Sequence, residues 1–263
     1  MTQDLLSTFA KGSFTFEGKT KTVYRKGSGP AVVVMSEIPG ITPRVLEFAD
    51  MVASRGMSVA VPSLFGTDGK APTQAYLVRS LAKACVSREF TVFAAGASSP
   101  VMGWLKALAR HEHAEHGGPG VGVVGMCLTG GFGLAMMVDD SVIAPVLSQP
   151  SLPAAAIKRN RADLGISPAE RERIVERAAS GVCVLGLRFT GDPAVPAERF
   201  AALRELLGDN FVGVELDSSE GNDHGHPKAA HSVLTEHLAD EPGSPTREAL
   251  EQVLSFLAER LGA

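Results

Sequence analysis

From residue 31 onward, short apolar runs alternate with longer stretches whose apolar positions recur at helical spacing. The run AVVVM (31–35) contains no polar position, the pattern of a strand buried on both faces. Thr42-Pro43 opens a helix, with proline at its first position and Val45, Leu46, Ala49 and Val52 on one face. Gly56 ends it, and SVAVP (58–62) reads as the next strand. Residues 73–84 and 97–116 carry helical spacing, VGVVGM (121–126) reads as a strand, and 130–139 as a helix. VIAPVL, VCVLGLRF and FVGVEL supply three further strands. The last helix starts near Ser244-Pro245 and runs through Leu250, Val253, Leu254, Phe256 and Leu257 to Leu261. Upstream, SFTF and KTVYR around Glu17-Gly18-Lys19 predict a hairpin that pairs antiparallel at the sheet's edge.

This rhythm predicts an α/β fold, a mostly parallel central sheet with helices on both faces. No strong linker or internal repeat divides the chain, so residues 1–263 are expected to form a single domain. One charged segment, residues 159–180, breaks the alternation. Its capping box, Ser167 to Glu170 with Pro168 between them, predicts a helix. That helix is either a lid over a pocket or a solvated crossover between two strands.

Composition narrows the range of partners. The formal net charge is −4, and no stretch concentrates Lys and Arg, which argues against nucleic acid and acidic membrane surfaces. Cys85, Cys127 and Cys183 are an odd, widely spaced set, which speaks against a disulfide framework and for a reducing compartment. The stretch MTQDLLSTFAKGSF lacks the basic region and apolar core of a signal peptide, and no apolar run approaches the ~20 residues of a membrane span. The expected location is the cytoplasm.

Cys127 is the residue on which chemistry turns. It closes a strand in VGVVGMCLTGG and is surrounded by Gly125, Gly130 and Gly131, the small residues that a tight strand-to-helix turn requires. A cysteine held there is presented to first-turn N–H groups that stabilise a thiolate and an oxyanion alike. The plainer alternative is a buried thiol that fills space. LRFTGDPAVPAERF (187–200) ends its strand at Thr190-Gly191-Asp192, on the face where open α/β sheets place their sites. Asp192 is also in a position that suits an ordinary turn or capping residue. After the last strand come His224, His226, His231 and His237. The chain order Cys, Asp, His is that of an α/β-hydrolase with cysteine in place of serine. The close histidines lack further ligands at a typical metal spacing, so no metal is expected. Glu37, just past the first parallel strand, either hydrogen-bonds the thiol, orients its neighbours, or is an ordinary loop acid.

EIPG (37–40), GMCLTGG (125–131), GDPAVP (191–196) and AHSVL (230–234), in that order, resemble the dienelactone hydrolase family, the cysteine branch of the α/β-hydrolases. The resemblance implies Cys127 as nucleophile, His231 as base, Asp192 as its orienter and Glu37 as the acid contacting the resting thiol. It implies an oxyanion hole from the backbone N–H groups of Ile38 and Leu128, and arginine anchors for a substrate carboxylate, for which Arg79 and Arg88 are the candidates. Thr129 stands where the family's nucleophile motif has glycine, and His224 or His226 takes the base's role if the long loop folds differently. The activity implied is hydrolysis of a small-molecule ester or lactone through a thioester, with no cofactor, by a monomer or homodimer. A general carboxylesterase or thioesterase, a redox-sensing thiol, and a non-catalytic relative on the same fold are the alternatives.

Overall fold

The computed structural model describes residues 5–86, 100–153 and 158–263. The hairpin comprises β1 (Ala10–Phe16) and β2 (Lys19–Gly27), paired antiparallel from Phe16↔Lys19 to Ala10↔Arg25. Its turn passes through Glu17 and Gly18, both at positive φ (48° and 73°), the mirror-image geometry that matches the twist of paired strands. Next come β3 (Ala31–Met35), α1 (Pro43–Ala53), β4 (Ser58–Pro62), α2 (Gln74–Val86), α3 (Pro100–His116) and β5 (Val121–Met126). A single tight turn, Cys127–Thr129, leads into α4 (Gly130–Met136). The chain continues through β6 (Val142–Ser148), α5 (Pro168–Ala179), β7 (Val184–Phe189), α6 (Ala197–Leu207), β8 (Phe211–Leu216) and α7 (Pro245–Leu261).

The strands form one sheet in the order β1-β2-β4-β3-β5-β6-β7-β8. The hairpin joins antiparallel to β4, and every pairing from β4 across to β8 is parallel. Strand β3 is buried at all of its positions because both faces of the sheet are covered. Val32 and Val34 pack with Val45, Phe48 and Val52 of α1 and with Leu250, Val253 and Leu257 of α7. Ala31, Val33 and Met35 point the other way, toward Trp104, Leu105 and Leu108 of α3 and Phe132 of α4. Period two in the strands thus sorts one apolar run onto two helical layers. Two helix starts carry the caps that their residues predict. Thr42 Oγ1 accepts from Val45 N–H at 3.3 Å, and Ser167 and Glu170 close their capping box. Residues 168–179 form the connection between β6 and β7, with Ile174 and Ala178 buried against Leu203 and Val184.

From β3 the chain crosses to β4 on one side, and the next strand among the described residues, β5, lies on the other side of β3. The carboxyl ends of β3 and β5 therefore flank the crevice where a parallel sheet reverses its winding, the usual position of a ligand site in such sheets. No helix among the described residues is long and apolar enough to cross a membrane.

Candidate active site

Cys127 leaves β5 at φ 57°, a left-handed conformation that costs a residue with a Cβ about 1–3 kcal/mol. The surroundings enforce it. A Cβ at Gly125 would lie 2.0 Å from the Thr129 carbonyl oxygen, and one at Gly130 would lie 2.6 Å from Pro150 Cα, so only glycine lets the turn close. Thr129 is fully buried, and its hydroxyl accepts from Met126 N–H at 2.8 Å. The same hydroxyl is 2.9 Å from both the Met35 and Met126 carbonyl oxygens, to either of which it can donate. Where glycine is expected, threonine thus ties the cysteine turn to the end of β3.

The histidine segment brings His231 to this turn. His231 Nδ1 is 2.6 Å from Asp192 Oδ2, with the carboxylate buried and the imidazole partly exposed. Burial opposes charge on the ring, but the Cys127 sulfur beside it and the hydrogen bond to Asp192 outweigh that, holding His231 well above the ordinary histidine range. Asp192 is fixed in turn, its Oδ1 accepting from Ala194 N–H at 2.9 Å. The other histidines do different things. His224 is exposed, His226 is buried edge-on against Phe189, and His237 Nδ1 accepts from the backbone N–H groups of His231 (3.4 Å) and Ser232 (3.2 Å).

Glu37 is buried, but its hydrogen bonds go elsewhere than to the thiol. Its carboxylate accepts from Ser232 Oγ at 2.6 Å, from Gln149 Nε2 at 3.1 Å and from the Thr235 hydroxyl. The expected contact with Cys127 is absent from the hydrogen bonds among the described residues, because hydroxyls on the chain just beyond His231 occupy the carboxylate. Cys127 Sγ instead lies 3.2 Å from Ser151 Oγ, and the Cys127 carbonyl accepts from Ser151 N–H at 3.0 Å. Leu128 lies in the first turn after the strand, where N–H groups have no intrahelical acceptor, and Ile38 follows Glu37 across the crevice. Arg79 stands exposed on α2, and Arg88 lies outside the described residues.

Ser151, Gln149 and Arg199 did not emerge from the sequence, and His237 was read only as one of the histidine cluster. The first two follow a parallel strand directly, which was the available signal. Arg199 is almost fully buried and donates from Nε to Asp163 O (2.9 Å) and from Nη1 to Pro150 O (3.0 Å) and Ala194 O (3.1 Å). Burial pushes its pKa down to about 10, which leaves it ionised at neutral pH.

A mostly parallel sheet of this order, with a cysteine on a strained turn after β5 and an Asp–His pair beside it, defines an α/β-hydrolase fold. The chain belongs to the dienelactone hydrolase family, whose model matches residues 19–261, and so to a family of hydrolases. Solved structures share the fold at low identity. A Klebsiella pneumoniae protein provisionally assigned as a dienelactone hydrolase is 18% identical with a TM-score of 0.64, covering 95% of this chain and 98% of its own. A cold-adapted esterase from an Arctic intertidal metagenomic library is 16% identical with a TM-score of 0.56, covering 95% and 92%. The thioesterase domain from the curacin biosynthetic pathway is 12% identical with a TM-score of 0.57, covering 94% and 99%. No curated protein matches the chain.

Proposed function

We propose that the protein hydrolyses a small-molecule ester or lactone through a thioester on Cys127. The observation that carries this reading is the series Asp192–His231–Cys127, in which a buried carboxylate orients an imidazole beside a sulfur on a strained turn. The Cys127 thiolate attacks the carbonyl carbon, and an S–C bond forms as the carbonyl electrons move onto oxygen. The oxyanion meets the N–H groups of Leu128 and Ile38. As the intermediate collapses, the C–O bond to the leaving oxygen breaks, and the His231 imidazolium gives that oxygen a proton. Water then adds to the thioester and yields its proton to His231. The C–S bond breaks, which frees the acid and restores the thiolate. Asp192 keeps the His231 Nε2 side turned toward the sulfur throughout.

Thiol nucleophiles handle activated esters and lactones better than amides, so dienelactone and p-nitrophenyl acetate are the substrates to try first. Cys127→Ala and His231→Ala should each lose nearly all turnover of both while retaining the wild-type circular dichroism spectrum. Intact mass spectrometry of the wild type during turnover should show one acyl adduct, located on Cys127. Undiminished turnover by Cys127→Ala would falsify the proposal. Reversible sulfenylation of Cys127 by peroxide, in a protein that hydrolyses neither ester, would favour the redox-sensor alternative.

A further inference from the structure

Residues 217–244, between β8 and α7, contain neither helix nor strand, yet they carry His231. A segment without a backbone ladder is held in place by whatever side chains grip it. Glu37 grips it from the end of β3. One carboxylate oxygen accepts from the Thr235 hydroxyl, and the other accepts from Ser232 Oγ at 2.6 Å and Gln149 Nε2 at 3.1 Å. Gln149 relays the same hold from the end of β6. Its Oε1 accepts from Val233 N–H at 3.3 Å and from the Ser148 hydroxyl. Residues 232–235 are thereby pinned at three positions, 232, 233 and 235, and Leu234 between them is buried at 1% exposed. All the donors and acceptors in this network are buried, and none of them belongs to Cys127.

We infer that Glu37 is a positioning residue for the base, acting through Ser232, Thr235 and Gln149 on the segment that bears His231, so that the Cys127–His231 pair is already assembled in the substrate-free protein. This rests on the acyl-transfer reading of Cys127 and His231, and it departs from the family scheme in which the acid holds back the resting thiol. For Glu37 to turn toward the sulfur it must release Ser232 and Thr235, leaving two buried hydroxyls without their acceptor, which the fold resists. The sulfur already has neighbours of its own, Ser151 Oγ at 3.2 Å and the His231 ring. The titratable groups facing His231 are Cys127, Asp192 and His237, and those facing Glu37 are Glu236 and His237.

Alkylation separates a positioning acid from a gating acid by sign. Iodoacetamide reacts with the thiolate, so its rate with substrate-free protein at pH 6, read as Cys127 adduct by peptide mass spectrometry, reports the pairing with His231. Removing a gate speeds that reaction, whereas removing an anchor slows it. Glu37→Gln, Ser232→Ala and Thr235→Val should all alkylate more slowly than wild type at pH 6. Their kcat on p-nitrophenyl acetate should fall about 10- to 100-fold, as expected when a reacting group is misplaced by a fraction of an ångström to an ångström. Faster alkylation of Glu37→Gln, with Ser232→Ala and Thr235→Val matching wild type, overturns the inference. If Glu37→Gln does not fold, the two hydroxyl variants decide, and wild-type behaviour in both is fatal to it. If no ester is turned over by the wild type, the proposed activity fails alone, because the alkylation comparison still reads the role of Glu37.

Discussion

At His237, one ring nitrogen faces two backbone donors, the N–H groups of His231 and Ser232. Only an unprotonated Nδ1 can accept from them, so the fold needs this ring neutral. Burial, reinforced by the charge of His231, lowers its proton affinity below the ordinary histidine value. The sign of the consequence follows from linkage. Below about pH 6.5 the unfolded chain takes up a proton that the folded site refuses, so this residue subtracts stability as pH falls through that value and costs nothing well above it. His237→Asn keeps an oxygen acceptor near the Nδ1 position and cannot titrate. Its urea midpoint, relative to wild type, should therefore rise as the buffer is taken from about pH 7.5 to pH 5.5. His237→Leu offers no acceptor and should retain less kcat than His237→Asn. A wild-type-to-Asn difference that does not change with pH would remove His237 from this role.

Among the elements, the turn from β5 into α4 shows most clearly how local chemistry is set from a distance. GMCLTGG is legible as a tight turn because glycines crowd a cysteine at a strand's end. Thr129 reads there as an intruder, since nothing nearby in the chain reveals what its hydroxyl meets. Its acceptor at Met35 is 94 residues upstream and becomes a neighbour only when β3 and β5 pair. Thr129→Val keeps the shape but strips the Met126 N–H of its acceptor, at a cost of about 1–3 kcal/mol. Thr129→Ser restores the oxygen and should recover most of that loss in urea denaturation. Turnover of p-nitrophenyl acetate should follow the same order, since the clamp sets where Cys127 stands. The helix caps at Thr42 and Ser167 were readable for the opposite reason, as donor and acceptor lie three residues apart.

For the molecule as a whole, the alternation of apolar runs was enough to place nearly every described strand and helix within a few residues, because each element's pattern is local. The order Cys127, Asp192, His231 was legible for a similar reason, since strand ends in a parallel sheet share one edge. What lay hidden were pairings between edges, such as Ser232 with Glu37 across 195 residues and Gln149 with Glu37 across 112. These depend on side-chain reach after folding, which no periodicity encodes. The same separation of body from edge makes stability and catalysis separable by mutation. Leu257 on α7 is fully buried against the sheet, close enough that a Cβ at Gly122 would lie 2.8 Å from its Cδ2. Leu257→Ala should cost about 2–5 kcal/mol in chemical denaturation while leaving kcat per folded molecule at the wild-type level. A large drop in kcat at a temperature where the variant is fully folded would show that the core and the edge are coupled after all.

Arg199 bears on how such an enzyme can be rebuilt. One guanidinium holds carbonyls of Pro150, Asp163 and Ala194, so the stretch after β6, the approach to α5 and the loop of Asp192 share a single fastening. They are separate in sequence but not free to be exchanged separately. A chimera that takes residues 149–166 from a relative must take that relative's counterpart of position 199 with them, or the transplanted loop and the resident aspartate arrive without a common anchor.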